Sequence, residues 1–320
     1  MYSRIIGTGR YLPEKILTNF DLEKMVDTTD EWIRSRTGIE ERHIAADEEA
    51  TSDLAYRAAL AAIENAGITP ADIDFVLVGT TTPDLIFPNV ACLLQEKLGI
   101  RGSPAFSLEA ACSGFIYSLI VADQFVRSGQ AKRALVIGAE TMSRIIDWTD
   151  RETCVLFGDG AGAVILEGSD EPGIIYNTFG ADGRYRELLY ASSGVATRHR
   201  DSFEMAALRM KGNEVFKVAV KTLEKLVDDV VEKNNLEHGQ IDWLIPHQAN
   251  IRIIAAMARR LDLPMERVVL TVRTHGNTSA ASVPMALDTA IRDGRIKRGD
   301  LLLLEAFGGG FTWGASLVRY

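Results

Sequence analysis

The chain has 320 residues, 47% of them hydrophobic and 25% charged, enough apolar content for one large core or two fused ones and unlike a disordered segment. A formal net charge of −9 argues against general nucleic-acid binding, which needs a dense basic surface, and no stretch nears the roughly 20 apolar residues of a membrane span. Without a signal-like N-terminus it reads as cytoplasmic; Cys92, Cys112 and Cys154 cannot all pair, and His43, His199, His238, His247 and His275 form no HxxxH pattern, so neither a disulfide framework nor a metal is expected.

In chain order, Gly7-Thr8-Gly9 has Leu12 where a dinucleotide fingerprint needs its third glycine, and Gly158-Asp159-Gly160 has Ala163 there, so no nicotinamide cofactor is expected. Residues 52–67 read as a helix that Ser52 and Asp53 can cap and Gly67 ends, followed by a buried strand at 73–78. Residues 106–115 pass from strand to helix through small residues around Cys112, and 134–138 reads as a further strand. Residues 183–210 have weak periodicity and are expected to carry loops near a binding surface. A helix over 215–233, a strand over 241–245 and an apolar strand over 301–304 then repeat the earlier order.

That order suggests duplication. Ile73-Asp74 matches Ile241-Asp242; Cys112 and Asn277 are each followed, at the same spacing, by Gly129 or Gly294, a Lys-Arg pair and an apolar run. A third match sets Phe157-Gly158 against Phe307-Gly308, with extra residues around 142–156 in the first copy. Short continuously apolar strands alternating with helices indicate parallel strands covered on both faces. No Pro-rich or Ser-rich linker separates the copies, so one compact body is expected, with halves at 1–170 and 171–320.

On this frame Cys112 and Asn277 occupy matched helix starts and His247 follows a buried strand, where open α/β sheets gather ligands. A helix N-terminus favours a thiolate and so a nucleophile. Each residue has a plainer alternative: a small buried cysteine, a satisfied imidazole, a capping asparagine. The glycines after Phe307 permit close backbone approach and an oxyanion hole, or merely a turn. The cations of 209–221 and of Arg252, Arg259 and Arg260 stand out on an acidic chain, as solvated helix faces or as a patch for an acidic partner.

The runs AACSGF around Cys112, PHQAN around His247, HGNTSAAS around Asn277 and the terminal EAFGGGFTWG together resemble the β-ketoacyl-acyl carrier protein synthase III family over the whole chain. The resemblance implies a duplicated thiolase-like fold with five α/β/α/β/α layers, a homodimer, and a catalytic set of Cys112, His247 and Asn277 without a cofactor. Asn277 stands where chain-elongating relatives carry a second histidine, and no cysteine lies beyond Cys154 as biosynthetic thiolases require. It further implies that an acyl-CoA, acetyl-CoA above all, acylates Cys112 and that malonyl-acyl carrier protein then decarboxylates and condenses. Gly309 and the Cys112 N–H would hold the oxyanion, Phe307 would shape the site, and Phe87 would reach into a partner's acyl pocket. Thr28, Trp32, Arg36 and Arg151 would take coenzyme A, Asn213 its pantetheine, and Lys217, Arg252, Arg259 and Arg260 the carrier protein. Related condensing acyltransferases of secondary metabolism, 3-hydroxy-3-methylglutaryl-CoA formation and a silent carrier-protein scaffold are the alternatives.

Overall fold

Strand alternation decides the layers. In the first half, β1 (Tyr2–Tyr11), a hairpin of β2 (Lys15–Thr18) and β3 (Glu41–Ile44) enclosing α1 (Asn19–Leu22) and α2 (Asp30–Thr37), and α3 (Thr51–Ala66) lead to β4 (Phe75–Gly79). There follow α4 (Val90–Leu98), β5 (Ala105–Leu108), α5 (Gly114–Arg127), β6 (Arg133–Thr141) and β7 (Asp159–Ser169). The second half carries β8 (Ile174–Ala181), β9 (Leu189–Ala191), β10 (Leu208–Met210), α6 (Gly212–Lys233), β11 (Trp243–Pro246) and α7 (Ile251–Arg260). It closes with α8 (Val272–His275), α9 (Ser282–Arg292), β12 (Leu301–Gly308) and β13 (Thr312–Arg319). This computed structural model describes residues 1–192, 194, 196, 207–237 and 239–320; His199, His238 and part of the 183–210 segment lie outside them.

The two large sheets have the same plan. One runs β1-β7-β6-β4-β5 and the other β8-β13-β12-β11, with the pairs β4/β5, β4/β6 and β11/β12 parallel and the pairings of β1, β7, β13 and β8 antiparallel. A single parallel bridge from Leu244 to Val268 stands where the second sheet lacks a counterpart of β5. The parallel strands expected from apolar runs are therefore present, and the sheets are mixed because each half begins and ends on an antiparallel strand.

Residues on successive positions of a strand face opposite sides. Phe75 and Leu77 of β4 and Leu302 and Leu304 of β12 point into a central core with α5 and α9. Val76 and Val78 face α3 and α4 on one outside, and Leu301 and Leu303 face α6 and α7 on the other. The result is five layers, α/β/α/β/α, in the duplicated thiolase-type arrangement. Among the described residues no helix is long and apolar enough to cross a membrane.

Asp74 and Asp242 recur for a mechanical reason. The Asp74 carboxylate accepts the N–H groups of Lys132 and Arg133, and that of Asp242 accepts the Leu301 N–H, so each pins the start of a neighbouring parallel strand. This staple corrects the repeat frame. A short 3₁₀ turn precedes each central helix, Ala111–Ser113 before α5 and Ser279–Ala281 before α9, and its first residue has positive φ, 46° at Ala111 and 50° at Ser279. The counterpart of Cys112 is thus Ala280, not Asn277. The helices have 14 and 11 residues, so the missing turn of α9 made the glycines after them line up while their starts did not. Phe157 and Phe307 likewise mark different places, because Phe157 precedes β7 whereas Phe307 lies within β12 opposite Trp313. The additional residues of the first copy do fall between β6 and β7.

Helix α3 rests directly on β1. A methyl group added at Gly9 would lie 2.4 Å from the Ala58 carbonyl oxygen and from the Ala62 nitrogen, both backbone atoms that cannot rotate away. Gly9→Ala is expected to lower unfolding free energy by about 1–3 kcal/mol in urea titrations; an unchanged midpoint would contradict this packing.

Candidate active site

Cys112 sits between β5 and α5 and is 8% exposed. Its thiol is pushed up to about 12, chiefly by burial, with a hydrogen bond to Ser279 as the main opposing influence. The expectation of a lowered pKa is therefore corrected: desolvation of the anion outweighs the helix start. The resting group is a thiol.

Asn277 and His247 come from the other half. The Asn277 Oδ1 accepts the Ser279 N–H at 2.9 Å, which commits its amide nitrogen to donating elsewhere. Asn277 does cap a turn, as its residue type suggests, while lining the same cavity as Cys112. Its backbone exchanges hydrogen bonds with Leu156 and Gly158, tying the 142–158 insertion of one half to the turn of the other.

His247 follows β11, and its Nδ1 lies 2.6 Å from the Ser282 Oγ. That hydroxyl oxygen also receives the Gln248 N–H at 3.4 Å; when its own proton points to Nδ1, the imidazole proton resides on Nε2. Burial lowers the His247 pKa to about 4, keeping the ring neutral. Gln248 holds this corner rigid: its amide donates to the Pro246 and Val269 carbonyls and accepts from Thr271 and Val272.

One cavity of about 580 Å³ joins Cys112, His247, Asn277 and Phe307 to Trp32, Arg36, Asn213 and Arg252 at its outer reach. The guanidinium carbons of Arg36 and Arg151 lie 5.8 and 4.8 Å from the centre of the Trp32 ring, an aromatic face clasped by two cations. Arg151 also pairs with Asp27 at 3.7 Å, and the Thr28 hydroxyl is buried without a partner; neither Arg151 nor Thr28 lines the cavity itself. Phe307 packs on Phe311 with ring centres 4.7 Å apart. Gly309 lies against the Cys112 turn: Thr312 donates both to its carbonyl and to that of Ala110.

Apart from Arg252, the remaining expected residues lie away from this cavity. Phe87 is 83% exposed, at a tip with Leu85 and Ile86. Lys217 and Arg260 border a second cleft, and Arg259 is exposed on α7. Arg260 is already engaged, donating to both carboxylate oxygens of Asp228. Arg252 stacks over Phe216 at 5.1 Å.

Ser279, Ser282, Gln248 and Glu305 stand inside the sequence motifs without having been singled out by them, and Glu140 lies outside. The two glutamates had a signal: an acid inside an apolar strand. Glu305 is 1% exposed, lines the cavity with one oxygen unpartnered, and is pushed up to about 8 by burial.

A duplicated fold that brings a buried thiol, an Nε2–H donor and a carboxamide donor together from its two halves defines a thiolase-fold condensing acyltransferase. Family models described as 3-Oxoacyl-[acyl-carrier-protein (ACP)] synthase III and its C terminal match residues 106–183 and 231–320. The Beta-ketoacyl-[acyl-carrier-protein] synthase III of Thioalkalivibrio sulfidiphilus is 62% identical over 100% of this chain and 99% of its own. The crystal structure of 3-oxoacyl-[acyl-carrier-protein] synthase III from Aquifex aeolicus superimposes with TM-score 0.94 at 50% identity, covering 99% of this chain and 100% of that one. The priming beta-ketosynthase of the R1128 polyketide pathway gives 0.95 at 37%, covering 99% and 96%. The chain belongs to the β-ketoacyl-acyl carrier protein synthase III family, the condensing enzymes that initiate fatty acid synthesis.

The Glu305 carboxyl yields a pH test. Its folded-state pKa is raised from 4.5 to about 8, so its contribution is fully present below the unfolded value and is lost as pH rises through about 8. Glu305→Gln should flatten the fall in thermal midpoint across that window. Parallel wild-type and variant curves would contradict it.

Proposed function

We propose that this enzyme condenses an acyl-CoA primer, acetyl-CoA foremost, with malonyl-acyl carrier protein through an acyl-Cys112 intermediate, with 1–170 supplying the nucleophile and 171–320 the donors. The observation that carries this reading is the convergence of Cys112, the His247 Nε2–H and the Asn277 amide on one buried cavity.

In the first half-reaction the Cys112 sulfur attacks the primer thioester, and coenzyme A is expelled as its thiolate. The Trp32, Arg36 and Arg151 clasp suits an adenine with its phosphates, and Asn213 on the cavity wall suits pantetheine. In the second, the malonyl carboxylate departs as CO2 and the electron pair moves onto the thioester carbonyl. His247 and Asn277 donate to that oxygen, and neutral donors suit it because they need give up no proton. The carbanion attacks the acyl-Cys112 carbonyl, whose oxyanion faces the Cys112 and Gly309 N–H groups, and the sulfur is released. Loss of CO2 supplies the carbanion, so the cycle calls for neither a redox cofactor nor a metal. The exposed apolar tip at Phe87 suits a homodimer contact, and solvent-excluding Phe307 protects the carbanion from protonation.

Cys112→Ser should abolish the acetyl adduct seen by intact mass after acetyl-CoA treatment, and full condensation by this variant would overturn the mechanism. His247→Ala and Asn277→Ala should retain the adduct while condensation falls about 10²-fold or more, measured as β-ketoacyl-carrier protein formed. Equal loss of both half-reactions would contradict the division of roles.

The docking surface of Lys217, Arg252, Arg259 and Arg260 is unequal, since Asp228 neutralises Arg260. Arg252→Glu should raise the KM for malonyl-carrier protein about ten-fold at low salt, while Arg260→Glu changes it less and the effect of each shrinks as salt rises. The reverse order would remove Arg252 from the docking site.

A further inference from the structure

We infer that Glu140, acting through the Ser279 hydroxyl, takes up the Cys112 proton as the thiol is acylated and returns it when condensation frees the sulfur. The division into half-reactions rests on the function proposed above; the proton path is a property of the chain itself.

The Cys112 thiol has beside it a hydroxyl that leads on to a buried acid. It is buried, its hydrogen-bond partner is the Ser279 side chain, and Ser279 Oγ in turn donates to Glu140 Oε1 at 3.2 Å. Serine can receive from one neighbour while donating to the next, so sulfur, hydroxyl and carboxylate form a continuous path. His247 is unsuited to accept the proton, because its Nδ1 is occupied by Ser282 and its Nε2 already bears hydrogen.

Glu140 is fully buried in β6 and, among the described residues, has no ion-pair partner. It is held instead by the hydroxyls of Thr80, Thr81 and Thr82 and by the N–H groups of Thr81 and Thr82. Burial raises its pKa to about 7 against those hydrogen bonds, which leaves the carboxylate able both to accept and to release a proton near neutrality. Other groups facing the pair are few. From β7 the residue opposite Glu140 is Gly160, and from β4 the approach is through the threonines. Glu109 stands before the thiol, while neutral His247 and Glu305 line the cavity from the other half.

The step balances. During acyl transfer the S–H bond breaks as the S–C bond forms, the thiol proton passes to Ser279 Oγ, and the Ser279 proton passes to Glu140. Coenzyme A leaves as a thiolate and takes a proton from the medium. During condensation the S–C bond breaks with its electron pair on sulfur, and the same path reversed restores the thiol. One proton is thus consumed overall, matching the loss of a carboxylate as CO2.

The test needs no thioester. Chloroacetamide alkylation of Cys112, followed by mass from about pH 5 to about 9, should accelerate with pH in the wild type and level off once Glu140 is ionised. In Glu140→Gln and in Ser279→Ala the levelling should vanish, and the rate near pH 7 should fall about ten-fold or more. Ser279→Ala leaves the threonine contacts of Glu140 in place, so a general disturbance of that loop in Glu140→Gln cannot account for both. Levelling that persists in either variant, a wild-type profile without it, or a neutral-pH rate within about two-fold of wild type would overturn the proposal. A missing acetyl adduct with an intact alkylation profile would instead overturn the proposed function.

Discussion

Everything at the centre of this protein depends on two short turns being pressed together between the sheets. Residues 111–113 and 279–281 each open a central helix with a non-glycine residue in the left-handed region, and each packs on the opposite half. Such a conformation costs of order 1–3 kcal/mol and persists only where surroundings fix it. Here those surroundings are the paired halves themselves. Strain at the turns is the local cost of bringing the Cys112 thiol of one copy into the same cavity as groups from the other.

That geometry also sets the electrostatics. Water is excluded where the turns meet, so the thiol and the two acids Glu140 and Glu305 are pushed upward and His247 downward, each toward its neutral form. A site of neutral donors is suited to charge that appears transiently on a substrate oxygen. Two contacts from the HGNTSAAS run, one backbone and one side chain, give the motif its physical content. The Ser279 backbone N–H turns the Asn277 carboxamide and the Ser282 hydroxyl turns the imidazole, so two positions three residues apart orient both groups.

Much of this was legible in the chain. Apolar strand runs, the Ile-Asp pairs and the strand-to-helix passage at Cys112 marked the sheets and the duplication, because buried parallel strands and their staples leave local traces. The matched placement of Cys112 and Asn277 was misleading because α9 lacks one turn that α5 has, a difference invisible until the helix starts are compared in space. The direction of the thiol pKa was hidden for a related reason: a helix start is local, whereas desolvation comes from the other half of the chain. Arg260 resembled a free cation until its partner Asp228, on α6, was brought beside it.

The condensation proposed for this site turns on donors that are neutral and fixed in direction, above all the imidazole of His247. Nitrogen-15 NMR of histidine-labelled enzyme, with His247 assigned by substitution, reads the protonation of each ring nitrogen directly. Hydrogen on Nε2 alone, with Nδ1 an acceptor, is expected at neutral pH and well below the ordinary histidine titration. Hydrogen on Nδ1, or an imidazolium at neutral pH, would contradict it.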